Sequence, residues 1–186
     1  MPSSDRRRRL MSVAAVLLLT AAGPFLAGWS WPFGRPPAPA DDAARRQAVE
    51  RLYADYRREF PEVPDIAPAD SLDLWRRGSA VLVDERAPEE QAVSMIPGAL
   101  RADDLQTRWE DFRGKTVIVY CTIGYRSGKL AQELRARGVA AVNIRGGLLG
   151  WVHAGGPVAD AGGPVKRIHV YGKTWDLAPA DFEAVY

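Results

Sequence analysis

The sequence is poor in the residues that form crosslinks and bind metals. Its 186 residues include one cysteine, Cys121, and two histidines, His153 and His169. A single cysteine excludes an intramolecular disulfide, and no cysteine lies near the N-terminus to carry a lipid. One cysteine and two separate histidines form no recognisable metal-binding pattern. Each histidine is therefore expected at the surface or at a helix end, and no metal or other cofactor is predicted.

The chain also lacks a strong excess of one charge. Arg6–Arg9 and Arg35, against Asp5, give the first forty residues a net charge of +4, while the whole chain carries +2, so residues 41–186 carry −2. A slightly acidic main part offers no basic surface for nucleic acid. Nucleic acid is therefore not a predicted partner.

A long segment without ionisable side chains follows the arginine cluster. It runs from Leu10 to Gly34, and its most apolar part, 11–26, is dominated by Val, Leu and Ala. Such a segment behind a basic head predicts export, either as an uncleaved membrane anchor, the preferred interpretation, or as a cleaved signal peptide. Residues 1–31 are assigned to this segment. The rest of the chain is predicted to be periplasmic or otherwise extracytoplasmic, with residues 10–31 available to hold it at the inner membrane.

Beyond this segment, the chain alternates between helical and extended patterns. Residues 32–42 predict a proline-rich linker, and residues 43–64 predict an amphipathic helix followed by an extended segment. Alternation then predicts an α/β fold, with a mostly parallel sheet covered by helices on both faces. Residues 159–186 are predicted to form a C-terminal extension that packs on this domain and buries Trp175, Phe182 and Tyr186. The predicted strands lie near 80–84, 99–101, 116–120 and 140–144, and the predicted helices near 68–77, 88–93, 104–111, 127–137 and 147–153.

Cys121 lies where chemistry is expected in such a fold. It follows the strand 116–120 and opens the short loop Cys121–Arg126 ahead of a helix. The first amides of a helix have no intrahelical acceptor, and both they and the helix dipole favour a thiolate. Gly124 allows a positive φ in mid-loop, which forms a concave nest of amide donors. A buried structural cysteine is the alternative.

At these residues the chain resembles the rhodanese family, whose active-site pattern is Cys-x-x-Gly-x-Arg-Ser ahead of a helix. The resemblance covers roughly residues 65–158, the predicted domain, and implies the family's α/β fold. One departure is visible, because Ser94-Met95 stands where the family usually has Gly-His. Four ordered segments carry the resemblance: Val81–Arg86 with Pro88–Glu90, Ile96–Ala99, Cys121–Ser127 and Val142–Trp151.

The resemblance implies a two-step sulfur transfer. Cys121 takes the outer sulfur of a donor such as thiosulfate or a persulfide, holds it as a persulfide, and passes it to cyanide, a thiol or a protein acceptor. The implied binding residues are those of the loop: Thr122, Ile123, Gly124, Tyr125, Arg126 and Ser127. Their amides would hold the anionic sulfur, and Arg126 would steady the loop and an anionic donor.

Three features of the loop and its surroundings bear on the alternatives. Asp84 and Arg86 are expected to support the loop by ion pairing, the alternative being a surface salt bridge without a catalytic role. The short loop and Tyr120, where related phosphatases carry histidine, favour sulfur over phosphate-ester or arsenate chemistry. Ser127 lies outside any Gly-x-Ser-x-Gly motif, so a serine hydrolase is not expected, and the Ser127 side chain is expected to cap the helix. A sulfur-carrier or binding module of the same fold remains an open alternative to an enzyme.

Overall fold

A computed structural model describes residues 39–186 of the chain. The predicted signal or anchor at residues 1–31 and most of the linker at 32–42 lie outside the described residues. Within residues 39–186, no helix is both long and apolar enough to cross a bilayer.

A five-stranded parallel sheet forms the centre of the described fold. Its strands occur in the spatial order β1-β5-β4-β2-β3, and every neighbouring pair is parallel. The central strand shows why both faces are covered, because Ile118 and Tyr120 face one apolar cluster and Val117 and Val119 face the other. The strands are β1 (Asp65–Ile66), β2 (Val81–Asp84), β3 (Leu100–Arg101), β4 (Thr116–Tyr120) and β5 (Ala140–Ile144).

Within residues 39–186, five of the six α-helices pack against the two faces of the sheet. Val49, Leu72 and Leu148 bring the first, second and sixth helices onto one face, while Leu105 and Leu130 bring the fourth and fifth onto the other. This arrangement confirms the predicted α/β fold with helices on both faces. The helices are α1 (Asp42–Tyr56), α2 (Pro68–Arg76), α3 (Pro88–Val93), α4 (Ala102–Gln106), α5 (Tyr125–Ala136) and α6 (Gly147–His153).

Two helix predictions were wrong in detail. The single helix predicted over 104–111 is instead α4 and a 3₁₀ turn at Trp109–Phe112. The Thr107 hydroxyl donates to the Asp104 carbonyl (3.1 Å), a local bond that competes with a continuing helix. The helix predicted from residue 127 begins at Tyr125, so Ser127 lies in its first turn and Gly124 occupies the capping position.

The C-terminal extension packs on the domain, as predicted. It covers the apolar cluster that Ile118 and Tyr120 face. Ile168, Val170 and Leu177 are buried there, and Trp175 and Phe182 pack against the cluster while partly exposed. The prediction was wrong for Tyr186, which is 55% exposed and contacts the Lys173 ammonium through its ring. The extension contains an antiparallel pair, β6 (Val158–Asp160) with β7 (Gly163–Val165), and a parallel pair, β8 (Arg167–His169) with β9 (Glu183–Val185).

Candidate active site

Cys121 directly follows β4 at the carboxyl end of the sheet, where ligands of parallel α/β sheets bind. The residue is only 2% exposed, and its sulfur accepts a hydrogen bond from the Gly124 amide (3.2 Å). Gly124 has φ 101°, and a Cβ atom there would lie 2.7 Å from the Tyr53 ring. Both the backbone conformation and the available space therefore require glycine at this turn.

Three carbonyl groups of the cysteine loop accept hydrogen bonds from residues outside the loop. The Cys121 and Thr122 carbonyls accept hydrogen bonds from the Leu148 and Leu149 amides at the start of α6 (2.8 and 3.1 Å). The Gly124 carbonyl accepts one from Asn143 Nδ2 (2.7 Å). In a trans peptide the following N–H points opposite to the carbonyl. The amides that follow these three carbonyls therefore point away from α6 and Asn143.

The start of α5 adds further amide donors to the loop. The first intrahelical bond runs from the Gly128 amide to the Gly124 carbonyl (3.2 Å), so the amides of Tyr125, Arg126 and Ser127 precede the helical ladder. Together with the loop amides, these groups can stabilise negative charge on a sulfur atom held by Cys121.

Arg126 lies in the first turn of α5 and forms a bidentate ion pair with Glu90. The two bonds are Nη1 to Oε2 (2.6 Å) and Nη2 to Oε1 (2.8 Å). Glu90 is 3% exposed, and it also accepts hydrogen bonds from the Thr122 hydroxyl and the Ala87 amide. Burial alone would raise the pKa of Glu90, but the bonds from Arg126 and Ala87 lower it below its ordinary value. Glu90 is therefore ionised and links the cysteine loop to α3.

Asp84 and Arg86 form a second ion pair, and both side chains are fully buried. The alternative of a surface salt bridge was therefore wrong. Arg86 binds Asp84 through Nε (2.9 Å) and Nη2 (2.7 Å), and it also donates to the carbonyls of Ser94 and Glu90. Through Arg86, the pair thus holds the Glu90 carbonyl within α3 and the Ser94 carbonyl at its C-terminal end. Its connection with the cysteine loop passes through Glu90.

Asn143 fixes the loop from the neighbouring strand β5. The residue is fully buried, and its Nδ2 donates to the Gly124 carbonyl while its Oδ1 accepts from the Ser127 hydroxyl (2.8 Å). The Ser127 side chain therefore holds α5 against β5. The sequence predicted that Ser127 caps the helix, and this prediction was wrong.

The remaining loop side chains have different surroundings. Those of Thr122 and Ile123 are buried, and the two residues, at 2% and 1% exposure, are as little exposed as Cys121 itself. Tyr125 is partly exposed, and its hydroxyl donates to Glu59 Oε2 (3.0 Å). The structure thus places the predicted loop residues together around Cys121, and the Tyr125 side chain remains partly exposed to solvent.

The histidines and Ser94 tie the C-terminal extension to the domain. His153 ends α6, as predicted, and its Nε2 bonds to the Leu177 carbonyl. His169 ends β8 instead of a helix, and its Nδ1 lies 3.9 Å from Glu90 Oε1. Ser94 is buried and donates to the Arg167 carbonyl (2.7 Å). Within residues 39–186, no group of three potential metal ligands comes together.

Sequence reasoning missed the roles of Glu90 and Asn143. The sequence contains an indication of each role. Glu90 is the third residue of α3, where a carboxylate caps the start of a helix. Asn143 is a polar residue within an apolar strand. Their contacts with Arg126 and Gly124 join residues far apart in the chain. Local patterns do not specify such contacts.

Comparison with known proteins identifies the family. The family model described as Rhodanese-like domain matches residues 68–154. A sulfurtransferase from Allochromatium vinosum is 35% identical over 82 residues, which cover 42% of this chain and 77% of the relative. A tRNA sulfurtransferase from Desulfurococcus amylolyticus is 33% identical over 110 residues, 54% of this chain, and the chain spans only 21% of that protein.

A solved rhodanese-related protein from Thermoplasma volcanium is 27% identical, with coverage of 52% of this chain and 97% of that chain and a TM-score of 0.45. The family match, which spans the cysteine loop, and the sulfurtransferase relative show that the chain belongs to the rhodanese family.

Proposed function

We propose that this protein is a sulfurtransferase that carries sulfane sulfur as a persulfide on Cys121. The observation that carries the proposal is the Gly124 amide donating to the Cys121 sulfur within a loop in which the carbonyls of Cys121, Thr122 and Gly124 are bound by groups outside it. Relatives named as sulfurtransferases support the same class of reaction.

The proposed reaction has two displacement steps. The Cys121 thiolate attacks the outer sulfur of the donor, which forms the Sγ–S bond and breaks the bond between that sulfur and the rest of the donor. The bonding electron pair leaves with the donor remnant, which is sulfite from thiosulfate or a thiolate from a persulfide. A thiol, cyanide or a protein acceptor then attacks the outer sulfur, and the Cys121 thiolate leaves. No oxidant or reductant is consumed.

The loop residues have distinct roles in this proposal. Amides of residues 122–127 stabilise the negative charge on the carried sulfur. Arg126, held by Glu90, keeps the first turn of α5 in place and lies beside the cysteine. Asp84 and Arg86 act indirectly, because they hold α3 in place and α3 carries Glu90.

A sulfur-carrier module is the second candidate function. Cys121 is 2% exposed, so a sulfur atom bound there is sheltered from solvent and can be retained for a partner. Turnover and storage differ in stoichiometry. Repeated formation of thiocyanate from cyanide supports the enzyme, whereas loading of one sulfur without turnover supports the carrier.

Mass spectrometry of the intact protein tests the proposal directly. Incubation with a sulfur donor should add the mass of one sulfur atom to Cys121, and a thiol acceptor should remove it. Cys121→Ser should abolish both loading and transfer while thermal unfolding stays close to that of the wild type, because serine fills almost the same space. Loading or transfer that survives in Cys121→Ser would contradict the mechanism.

We also propose that residues 1–31 direct this domain out of the cytoplasm, with residues 32–42 as the tether. The basic head before an apolar segment supports this orientation, because positively charged flanks stay on the cytoplasmic side. An alkaline-phosphatase reporter fused after Arg45 should be active, since that enzyme needs the oxidising compartment. An inactive phosphatase together with an active cytoplasmic reporter at the same junction would overturn the proposal.

A further inference from the structure

Four aromatic side chains form a continuous surface, here called the aromatic wall. Its members are Tyr125, Tyr56, Trp175 and Tyr171. The ring centroids are 5.2 Å apart for Tyr125 and Tyr56, 5.8 Å for Tyr56 and Trp175, and 6.0 Å for Trp175 and Tyr171. The Tyr56 and Trp175 rings are stacked, and the other two pairs are tilted. These are favourable geometries for aromatic pairs.

The aromatic wall begins at the cysteine loop. Tyr125 is the first residue of α5, four residues after Cys121. Burial raises the pKa of the Tyr56 hydroxyl, and electrostatic interactions with Tyr125, Asp55 and Cys121 raise it further. Tyr56 adjoins the cysteine loop, since its ring centroid lies 5.2 Å from that of Tyr125.

Most of the aromatic wall comes from outside the family-matched residues 68–154. Tyr56 ends α1, and Trp175 and Tyr171 belong to the C-terminal extension. Tyr171 is 69% exposed, and the other three rings are partly exposed, so the wall presents an aromatic surface to solvent. The segments that flank the family domain thus contribute a surface beside its reactive cysteine.

The charges around the loop are balanced, which disfavours a dianion. Arg126 is paired with Glu90, and Lys129, whose ammonium lies over the Tyr125 ring, is paired with Glu59 (3.2 Å). Glu85 adds an acidic group near Arg126, with its pKa raised to about 7 by burial and by neighbouring carboxylates. An inorganic dianion such as thiosulfate would meet loop amides but no net positive charge from these pairs.

We propose that the aromatic wall binds the organic part of the sulfur donor, so that the preferred donor is a neutral or singly charged organic compound with a flat apolar group beside its sulfane sulfur. This inference rests on the proposed function and adds the donor class. The donor's ring packs against Tyr56 and Trp175, and its sulfane sulfur points to Cys121. Stacking on the wall then positions the donor without a cationic site.

Two thiosulfonates that differ only in their organic group test the inference. In both, the Cys121 thiolate attacks the terminal sulfur, the S–S bond to the sulfonyl group breaks, and the electron pair leaves on a sulfinate. Benzenethiosulfonate carries a ring, whereas methanethiosulfonate does not. Wild-type kcat/KM should be roughly tenfold higher for benzenethiosulfonate, as expected from one or two aromatic contacts and the buried ring area, and lowest for thiosulfate.

Variants of the aromatic wall should reduce the ratio of the two kcat/KM values. Trp175→Leu should bring the ratio to about two, and Tyr171→Ala should lower it by roughly twofold to threefold. Tyr171 is exposed, so its variant keeps the test valid if Trp175→Leu folds poorly. Tyr186→Ala is the matched control, since it removes an exposed ring of the same extension that lies over Lys173 and, among the described residues, forms no ring pair with the wall, and it should keep the wild-type ratio.

The contradicting outcomes separate the two proposals. Equal kcat/KM for the two thiosulfonates, or a preference for thiosulfate, with sulfur still loaded on Cys121, would overturn the inference alone. A ring preference that survives in both wall variants would overturn it too. Failure of every donor to load Cys121 would overturn the proposed function, and the inference with it.

Discussion

The two ends of the parallel sheet are built differently. Eight buried polar residues in the described part of the chain lie around the carboxyl ends of β2, β4 and β5: Asp84, Arg86, Glu90, Gln91, Ser94, Thr122, Ser127 and Asn143. At the amino ends lies a cavity of about 480 Å³, where Trp75, Phe112 and Leu100 meet a rim of Arg108 and Lys115. One end has buried polar groups in contact with each other, and the other has open volume.

This difference supports the proposal that sulfur transfer takes place at the carboxyl ends of the strands. A buried polar or charged group destabilises the fold unless it is hydrogen-bonded, so such groups accumulate where function requires them. At the carboxyl ends, the fully buried Asp84–Arg86 pair, the Arg126–Glu90 pair and Asn143 support the short loop of Cys121. The cavity at the amino ends has room for a ligand but contains no comparable network. Volume alone therefore does not identify the active site.

The largest expected effect comes from breaking the fully buried ion pair. Asp84→Asn keeps the shape of the side chain but leaves the Arg86 guanidinium buried without its counterion. Loss of one partner of a buried pair costs about 3–5 kcal/mol in the free energy of unfolding. Denaturant titration of the variant and the wild type measures this difference.

The matched control is an exposed ion pair. Asp73 and Arg76 are paired at 3.4 Å on α2, with side chains 61% and 59% exposed. Asp73→Asn should change the free energy of unfolding by less than about 0.5 kcal/mol. Similar losses in Asp84→Asn and Asp73→Asn would show that burial gives the pair no special role.

The second prediction compares arginine at the two ends of the sheet. Arg126→Lys keeps the positive charge but loses the planar guanidinium that binds both oxygens of Glu90. We expect a fall of roughly tenfold to a hundredfold in kcat/KM for sulfur transfer, because the first turn of α5 loses its fixed position. Arg108→Lys, at the amino-end cavity, is the control and should keep wild-type kinetics. Wild-type kinetics in Arg126→Lys would show that the bidentate pair is incidental.

The same comparison explains what the sequence could and could not predict. The strand before Cys121, the turn at Gly124 and the helix after it follow from β-branched residues, glycine and helical periodicity, which are local properties. The pairing of Arg126 with Glu90 joins residues 36 positions apart, and that of Asn143 with Gly124 joins residues 19 apart. Such pairings depend on how α3 and β5 pack beside the loop. They therefore appear only in the folded structure.

The third prediction concerns Asn143, which supports the loop without approaching the substrate. Asn143→Ala leaves the Gly124 carbonyl and the Ser127 hydroxyl without their hydrogen-bond partner. We expect a loss of about 1–3 kcal/mol in the free energy of unfolding and a fall of roughly tenfold in kcat/KM. A stability loss with unchanged kcat/KM would show that Asn143 stabilises the fold without positioning the loop.

The smallest expected effect is the pH dependence caused by Glu85, at the carboxyl end of β2. Burial, followed by the charges of Asp103, Glu133 and Asp84, raises the pKa of Glu85 from 4.5 to about 7, against the lowering influence of Arg126. The unfolded chain therefore loses this proton at lower pH than the folded protein. As the pH rises from about 4.5 to 7, the free energy of unfolding falls, and above pH 7 the penalty is complete.

Glu85→Gln removes this penalty, so its benefit should depend on pH. Glu85 is partly exposed and screened by solvent, so the melting temperature should rise by only about 1–3 °C near pH 8 and hardly at all near pH 4. Thermal unfolding of both proteins across this range measures the difference. An equal gain at both pH values would mean that glutamine acts by changing the packing, and that the carboxyl end of the sheet does not hold Glu85 protonated near neutral pH.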